Sequence, residues 1–488
     1  MNLPIEKALP DNAFWKYFLL ICSIPHPSGH EEKLREALKA EAEKHSLSCR
    51  VDAAGNLAID RPAAPGKENL PTIILQAHLD MVPQAAEGVD FDFLTQSITP
   101  IVEGNWVTTG GRTTLGADDG AGVALAMELL TDPALQCGAL RGVFTVSEET
   151  GLGGAEDIDR SFLDGKYLIN LDSDEPFTIG CAGGARFDGS AKLDFQAAGS
   201  EGTAVKITLC NLLGGHSGED IHKNVGSATK IMADFLMQLQ KLDFLLAKVD
   251  AGTLHNAIAR SAVVYGVIPA EKLEQARTLT AEYAVMLNNK YEKPSNSSIV
   301  LTLETVCDRP NALLTLESQK KLLHLWNDLP HGLLEKTPDG ASQTSCNLAV
   351  LRGEAKGVWT FTLLARSIYN YERDQVVNAS LALFKEYGFS GNVSSAYSSW
   401  EPKWESEFLE YACRTAQQIT GKKAQKNVIH GGLEPGMFCG MNPQLEMISF
   451  APHTLALHSP QEKMEISSAE ESRKLLKALI EHAGNIKA

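Results

Sequence analysis

The sequence predicts an α/β fold that is interrupted by an α+β stretch and then resumed. Three observations carry this reading. The runs TIILQAHLD (72–80), GVFTVSEE (142–149) and KYLINLDSD (166–174) are near-continuously apolar until their ends, the mark of strands buried on both faces. GAGVALAMELL (120–130), rich in small and apolar residues, reads as a helix between the first two, and strands alternating with helices imply stacked α/β layers. After about Gly184 the helices lengthen and the strands alternate more clearly, and from about Trp400 the α/β texture returns.

In chain order, HEEKLREALKAEAEKHS (30–46) places Leu34, Leu38 and Ala42 at helical spacing in a densely charged segment, which predicts a surface helix. VDAAGNLAIDRP predicts a strand, a turn at Gly55-Asn56 and a second strand. The three apolar strands and their intervening helix follow. Beyond Gly184, segments 224–242, 270–291 and 372–389 predict amphipathic helices, and SAVVYGVIP, SSIVLTLETV and GVWTFTLLARS predict strands, together an α+β module. Segment 406–421 predicts a helix, and 467–483 another, with Ser468 and Glu471 spaced as a capping box.

The 488 residues allow two to four domains. With 44% hydrophobic and 22% charged residues the chain is ordinary globular material. Forty-four Lys and Arg against 61 Asp and Glu give a net charge of −17, which argues against nucleic acid and anionic membranes as partners. The first residues lack a basic start followed by an apolar run, so no secretory signal is expected, and no stretch is apolar enough to span a bilayer. Nine scattered cysteines without a CxxC pair fit a reducing, cytoplasmic setting with free, mostly buried thiols.

The chemistry concentrates where the buried strands end: His78 and Asp80, Glu148 and Glu149, Asp172 and Asp174. Ligands of open α/β sheets sit at the carboxyl ends of strands. His78 alone could be an ordinary strand-end histidine; as a metal ligand it would have the Asp80 carboxylate to orient its ring. In GADDGAG, Asp118 and Asp119 could cap the helix that follows, or one could bridge two cations. Glu148 and Glu149 could form an exposed acidic turn, or one could ligate metal while the other serves as general base. His458, in ALHSPQEKM, adds a second imidazole. Nitrogen and oxygen donors without thiolate suit Zn²⁺ or Mn²⁺ and argue against a structural zinc knot or an iron–sulfur cluster. Five such ligands with one shared carboxylate suit a two-metal hydrolytic site. No GxSxG elbow and no cysteine in a catalytic setting support a covalent hydrolase.

The ordered set HLD, GADDGAG, SEETGLGGA, NLDSD and HSPQE resembles the dinuclear zinc-dependent metallopeptidases. GGHSGEDIHK, HNAIAR, SCNLAV and GGLEPGMF extend the resemblance essentially end to end. It implies a mixed-sheet catalytic domain made of residues 1–185 and 400–488, with an α+β lid domain of residues 186–399 inserted between. It implies that His78 and Asp172 bind one divalent metal, Glu149 and His458 the other, and that Asp118 bridges them, Zn²⁺ being the expected ion with Co²⁺ or Mn²⁺ as substitutes. Asp80 would orient His78, Glu148 would be the general base, and Asp119 would not be an essential ligand. His216 would reach the substrate carbonyl or oxyanion from the lid, and Asn256, Arg366 and Glu434 would meet substrate termini. The implied activity is hydrolysis of short peptides, Xaa-His dipeptides such as β-alanyl-histidine among them, by a homodimer joined through the lid. A tripeptidase or an N-acyl amino acid deacylase would use the same carboxylates. A non-enzymatic binding protein on the same fold would be marked by a lost ligand or base, and here every expected position is filled.

Overall fold

The computed structural model describes residues 5–173, 177–338 and 340–486; Asp174, read above as part of a strand end, lies outside them. The chain divides into two compact units. The first contains residues 1–181, 400–428 and 433–488, and the second residues 182–399 and 429–432. The short return at 429–432 left no trace in the composition.

The first unit is organised by an eight-stranded mixed sheet, whose order by first residue is Ser48, Leu57, Leu140, Ile73, Tyr167, Glu446, Thr178, Asn427. Its centre is parallel: Ile73–His78 runs between Leu140–Thr145 and Tyr167–Asn170, and Glu446–Ser449 continues the parallel set beside Tyr167–Asn170. Every residue of Ile73–His78 and of Tyr167–Asn170 is buried, as their apolar runs require. The strands stop at His78, Thr145 and Asn170, so His78 closes its own strand while Glu148, Glu149 and Asp172 sit just past the ends of theirs. The helix Glu32–Lys44 lays Leu34, Leu38 and Ala42 into the core, where all three are fully buried.

One predicted detail is overturned. Ser468 lies inside the helix Ile466–Glu481, whose N-terminus carries no side-chain cap of its own. The Ser468 hydroxyl instead accepts the His453 N–H at 2.7 Å. Asn105 takes over the terminus, its carbonyl accepting from Ile466 N at 2.8 Å and its side chain from Ser467 N at 3.3 Å. A distant residue thus satisfies the donors a capping box would have covered.

The second unit is built on a nine-stranded antiparallel sheet that includes Gly183–Ala191, Thr203–Cys210, Ser342–Gly353 and Trp359–Ser367. The helices Ala228–Leu239, Leu273–Lys290, Leu316–Asp328 and Asn370–Glu386 pack their buried residues into its core, with Trp326, Trp359 and Phe361 fully buried there. None of the nine cysteines is in a disulfide; four are buried, fewer than the sequence suggested, and Cys307 is exposed. Among the described residues no helix is long and apolar enough to cross a membrane.

Candidate metal centre

The strand Ile73–His78 ends by turning the His78 imidazole into the interior. Its Nδ1 lies 3.0 Å from the Asp80 main-chain oxygen and 3.4 Å from Asp80 Oδ1. Its Nε2 is thereby aimed at Asp118 Oδ1, 3.0 Å away, with Asp172 Oδ1 at 3.7 Å. The other oxygen of Asp118, Oδ2, lies 3.1 Å from His458 Nε2, and Glu149 Oε1 lies 2.9 Å from that same nitrogen. One carboxylate therefore faces two imidazoles, one with each oxygen.

The two adjacent aspartates divide the roles that the residues alone left open and that the resemblance assigned to Asp118. Asp118 and Asp119 have non-helical backbone angles, so the regular helix starts at Gly120, and a cis peptide joins the pair. Asp119 is the cap: its Oδ1 accepts the Gly122 N–H at 3.0 Å and its Oδ2 the His78 N–H at 3.1 Å. A side chain at Gly122 would put Cβ 2.3 Å from Asp119 Oδ1 and 2.6 Å from the Leu171 carbonyl, so glycine is required there. Both Asp119 oxygens are committed to backbone, whereas Asp118 is left facing the histidines.

Asp80 ties the second acidic pair to the first histidine. Its carboxylate accepts from Ser28 Oγ at 2.7 Å, Glu148 N at 3.0 Å and Glu149 N at 3.2 Å. Ser147 and His458 both adopt left-handed φ, at 55° and 57°, which costs energy for residues with a Cβ and falls beside Glu148 and at the His458 imidazole itself. Glu462 closes the HSPQE motif, and the resemblance implies no role for it. It is buried and gathers the loop before Asp118, accepting from Leu115 N at 2.7 Å, Gly116 N at 3.1 Å and Ala117 N at 2.8 Å. Its spacing of four residues from His458 was the only sequence signal for it.

The electrostatics describe a place with surplus negative charge. Burial raises the Asp172 carboxyl, helped by the Asp118 charge, to about 7. Burial raises Glu148 well above its ordinary value, and the charges of Asp172, Glu149 and Glu434 add to that. Burial also acts against ionised Asp118, but hydrogen bonds to His458 and His78 hold its carboxyl well below the usual range. Burial would lower His78, yet Asp118, Asp172 and Asp80 raise it well above an ordinary imidazole, and Asp118 and Glu149 push His458 to about 11. Carboxylates outnumber imidazoles, a conflict that divalent cations relieve. His78, Asp118 and Glu149, and again His78, Asp119 and Asp172, bring ligand atoms within 4.8 Å of one another. The all-nitrogen-and-oxygen donor set fits Zn²⁺, Co²⁺ or Mn²⁺.

The remaining predicted residues fall into two places. Glu434, fully buried at the start of Glu434–Met441, belongs to the first unit and bonds Gln76 and Thr145. His216, Asn256 and Arg366 gather in the second unit. Gly215–His216 pairs with Ala257–Ile258, Ser217 N donates to the Asn256 carbonyl at 2.8 Å, and Arg366 Nε reaches Ser217 Oγ at 3.4 Å. Arg366 also donates to Tyr397 Oη at 2.7 Å.

The sequence pattern of peptidase family M20/M25/M40 matches residues 74–482. The cytosol non-specific dipeptidase of Escherichia coli (strain K12) is 36% identical over 478 residues, 97% of this chain and 98% of that one. The crystal structure of aminoacylhistidine dipeptidase from Vibrio alginolyticus superimposes with a TM-score of 0.87 at 34% identity, covering 100% of this chain and 99% of that one. Aminopeptidase PepT from Bacillus cereus is 17% identical, covering 97% of this chain and 98% of that one, with a TM-score of 0.56, a likeness of fold alone.

Proposed function

The chain belongs to peptidase family M20/M25/M40, and on that premise we propose that it is a two-metal dipeptidase acting on short peptides, Xaa-His dipeptides such as β-alanyl-histidine among them. The observation that carries this reading is the placing of Asp118, with Oδ1 3.0 Å from His78 Nε2 and Oδ2 3.1 Å from His458 Nε2. That is where a bridging carboxylate belongs. His78 and Asp172 would hold one ion, Glu149 and His458 the other, with Asp118 shared, and Zn²⁺ is the proposed native metal.

Bound divalent ions supply Lewis-acid polarisation of the scissile carbonyl and acidify water. The chain's own residues do the rest. Asp80 fixes the His78 ring through Nδ1 and holds the Glu148-Glu149 turn through its two backbone N–H groups. Glu148, whose carboxyl is raised by burial, would accept the proton of the attacking water and pass it to the leaving amine. His216 is proposed to stabilise the oxyanion. Arg366 and Asn256 are proposed to bind the substrate carboxylate, for which a guanidinium is well shaped. Glu434 is proposed to meet a substrate terminus. A cytoplasmic location and a homodimer joined through the second unit complete the proposal. The free cysteines and the E. coli relative's name support the former, and light scattering tests the latter.

The decisive experiment is a panel of Xaa-His dipeptides, tripeptides and N-acetyl amino acids, with metal content measured on the same sample. Glu148→Ala is expected to keep its metal and lose about 10²- to 10⁴-fold in kcat. Near-normal turnover would sink the assignment of the base. Preferential cleavage of tripeptides or N-acetyl amino acids would replace the dipeptidase reading with one of its rivals.

A further inference from the structure

Glu31 falls at the start of the segment read above as a surface helix, yet it is buried, with 6% of its surface exposed. It stands at the N-cap of Glu32–Lys44, but its side chain makes no capping bond to that helix. Its carboxylate turns elsewhere. Oε1 accepts from Gly29 N at 2.9 Å and, across 116 residues of chain, from Ser147 N at 3.0 Å and Ser147 Oγ at 3.3 Å. A buried carboxylate is costly unless N–H or O–H groups meet it. Here two of the three groups belong to the turn that carries Glu148 and Glu149.

That turn is held by side chains at four consecutive N–H groups. Asn56 Oδ1 accepts from Val146 N at 3.1 Å, Glu31 from Ser147 N, Asp80 Oδ1 from Glu148 N and Asp80 Oδ2 from Glu149 N. Each peptide unit is planar, so the φ and ψ of Ser147 follow from the two planes that flank it. One plane carries the Ser147 N–H and is held by Glu31. The other carries the Glu148 N–H and is held by Asp80. Together they keep Ser147 at φ 55°, a conformation disfavoured for a residue with a Cβ. The two carboxylates share one support: Ser28 Oγ donates to Asp80 Oδ2 at 2.7 Å, three residues before Glu31. Packing is incomplete on this side, where a cavity of about 700 Å³ has Glu31, Gly55, Val146 and Ser147 in its wall.

We propose that Glu31 is a positioning residue for the hydrolysis: by holding Ser147 left-handed it sets the Glu148 carboxylate for proton transfer and the Glu149 carboxylate for metal. This rests on the dipeptidase reading, with Glu148 as base and Glu149 as ligand. It adds a residue to which neither the motifs nor the resemblance assigned a role.

The rival role is local, because an acid at a helix N-terminus is favoured by the helix dipole. The two roles rank the conservative variants in opposite order. Glu31→Gln keeps an acceptor at full reach and loses the charge, whereas Glu31→Asp keeps the charge and withdraws the acceptor by one methylene. The test measures kcat and KM on Ala-His, and retention of Zn²⁺ by the loaded enzyme against a graded chelator. Glu31→Ala and Glu31→Asp are expected to lose roughly 10- to 100-fold in kcat with KM within about threefold, the scale set by the partners that orient catalytic and ligating groups. One of the two metal equivalents is expected to bind about 10-fold or more weaker, because Glu149 moves with the turn, while the other holds. Glu31→Gln is expected to stay within about threefold of wild type in both measurements. A Glu31→Gln that loses as much as Glu31→Asp or more would overturn the proposal. So would a lowered melting temperature with kcat and both metal affinities intact. Should Glu31→Ala fail to fold, the order of Gln and Asp decides. A wild type that holds Zn²⁺ but cleaves no dipeptide overturns the dipeptidase reading, and metal retention by the variants then decides on Glu31 alone.

Discussion

The two units treat their imidazoles in opposite ways. In the first, His78 and His458 face carboxylates, which raise His78 well above an ordinary imidazole and push His458 to about 11. In the second, burial with Lys230 nearby lowers His331 to about 4, and burial with Arg366 nearby lowers His430 to about 3. The second pair also have neutral partners: His331 Nδ1 accepts the Leu348 N–H at 3.1 Å, and His430 Nε2 lies 2.7 Å from Ser345 Oγ. Burial alone therefore does not mark a functional histidine, since His26 in the first unit is buried and lowered as well. The carboxylates around the ring make the difference. An imidazole among acids stands where a cation belongs, and one bonded to N–H or hydroxyl is part of the framework.

The hardest test of that contrast is Asp118→Asn. It keeps the shape and removes the charge shared by both histidines. Metal binding is expected to weaken and kcat to fall by about 10³-fold or more, measured by metal analysis and dipeptide turnover together. Retained metal with full activity would show that the Asp118 geometry is only structural, and the division between the two classes of histidine would lose its basis.

The sequence made the first class readable and not the second. His78, Glu148, Glu149 and Asp172 announce themselves because apolar runs break into acids at the strand ends. Asp118 and Asp119 were separated only by the family resemblance, because adjacency says nothing about which oxygen meets a backbone N–H. Glu462 went without a role because its partners lie some 345 residues away in the chain. The capping box at Ser468 failed because Asn105, far off in sequence, supplies the cap. In the second unit, Ser342–Gly353 (SQTSCNLAVLRG) was missed because its small and polar residues carry no alternation; it becomes a strand because Leu245–Ala251 and Trp359–Ser367 flank it.

A pH titration of stability sharpens the contrast next. His331 and His430 have folded values below the ordinary 6.5 of the free ring. The unfolded chain therefore binds protons that the fold refuses. Their contribution is fully present above about pH 6.5 and is lost as pH falls toward 4 and then 3. The complete shifts are worth on the order of 3 kcal/mol for His331 and 5 kcal/mol for His430. Calorimetry between pH 7 and 4 should show the second unit's transition falling in temperature, and in the His331→Gln, His430→Gln double variant that fall should shrink. A slope unchanged by the double variant would remove these two histidines as its cause.

The smallest expected effect is that of His331→Phe. The ring is replaced by one of similar size that cannot accept the Leu348 N–H. A backbone donor left unpaired in the interior costs about 1–3 kcal/mol, so the midpoint of chemical unfolding should drop while the slope with denaturant stays constant. Metal content and kcat should remain at wild-type levels, because His331 makes its contacts within the second unit's framework. His331→Gln can accept the same N–H and should recover part of the loss. If His331→Phe instead lowered kcat with stability intact, a neutral, hydrogen-bonded imidazole would be acting on the chemistry. The rule that carboxylate neighbours separate cation-facing from framework histidines would then fail in this protein.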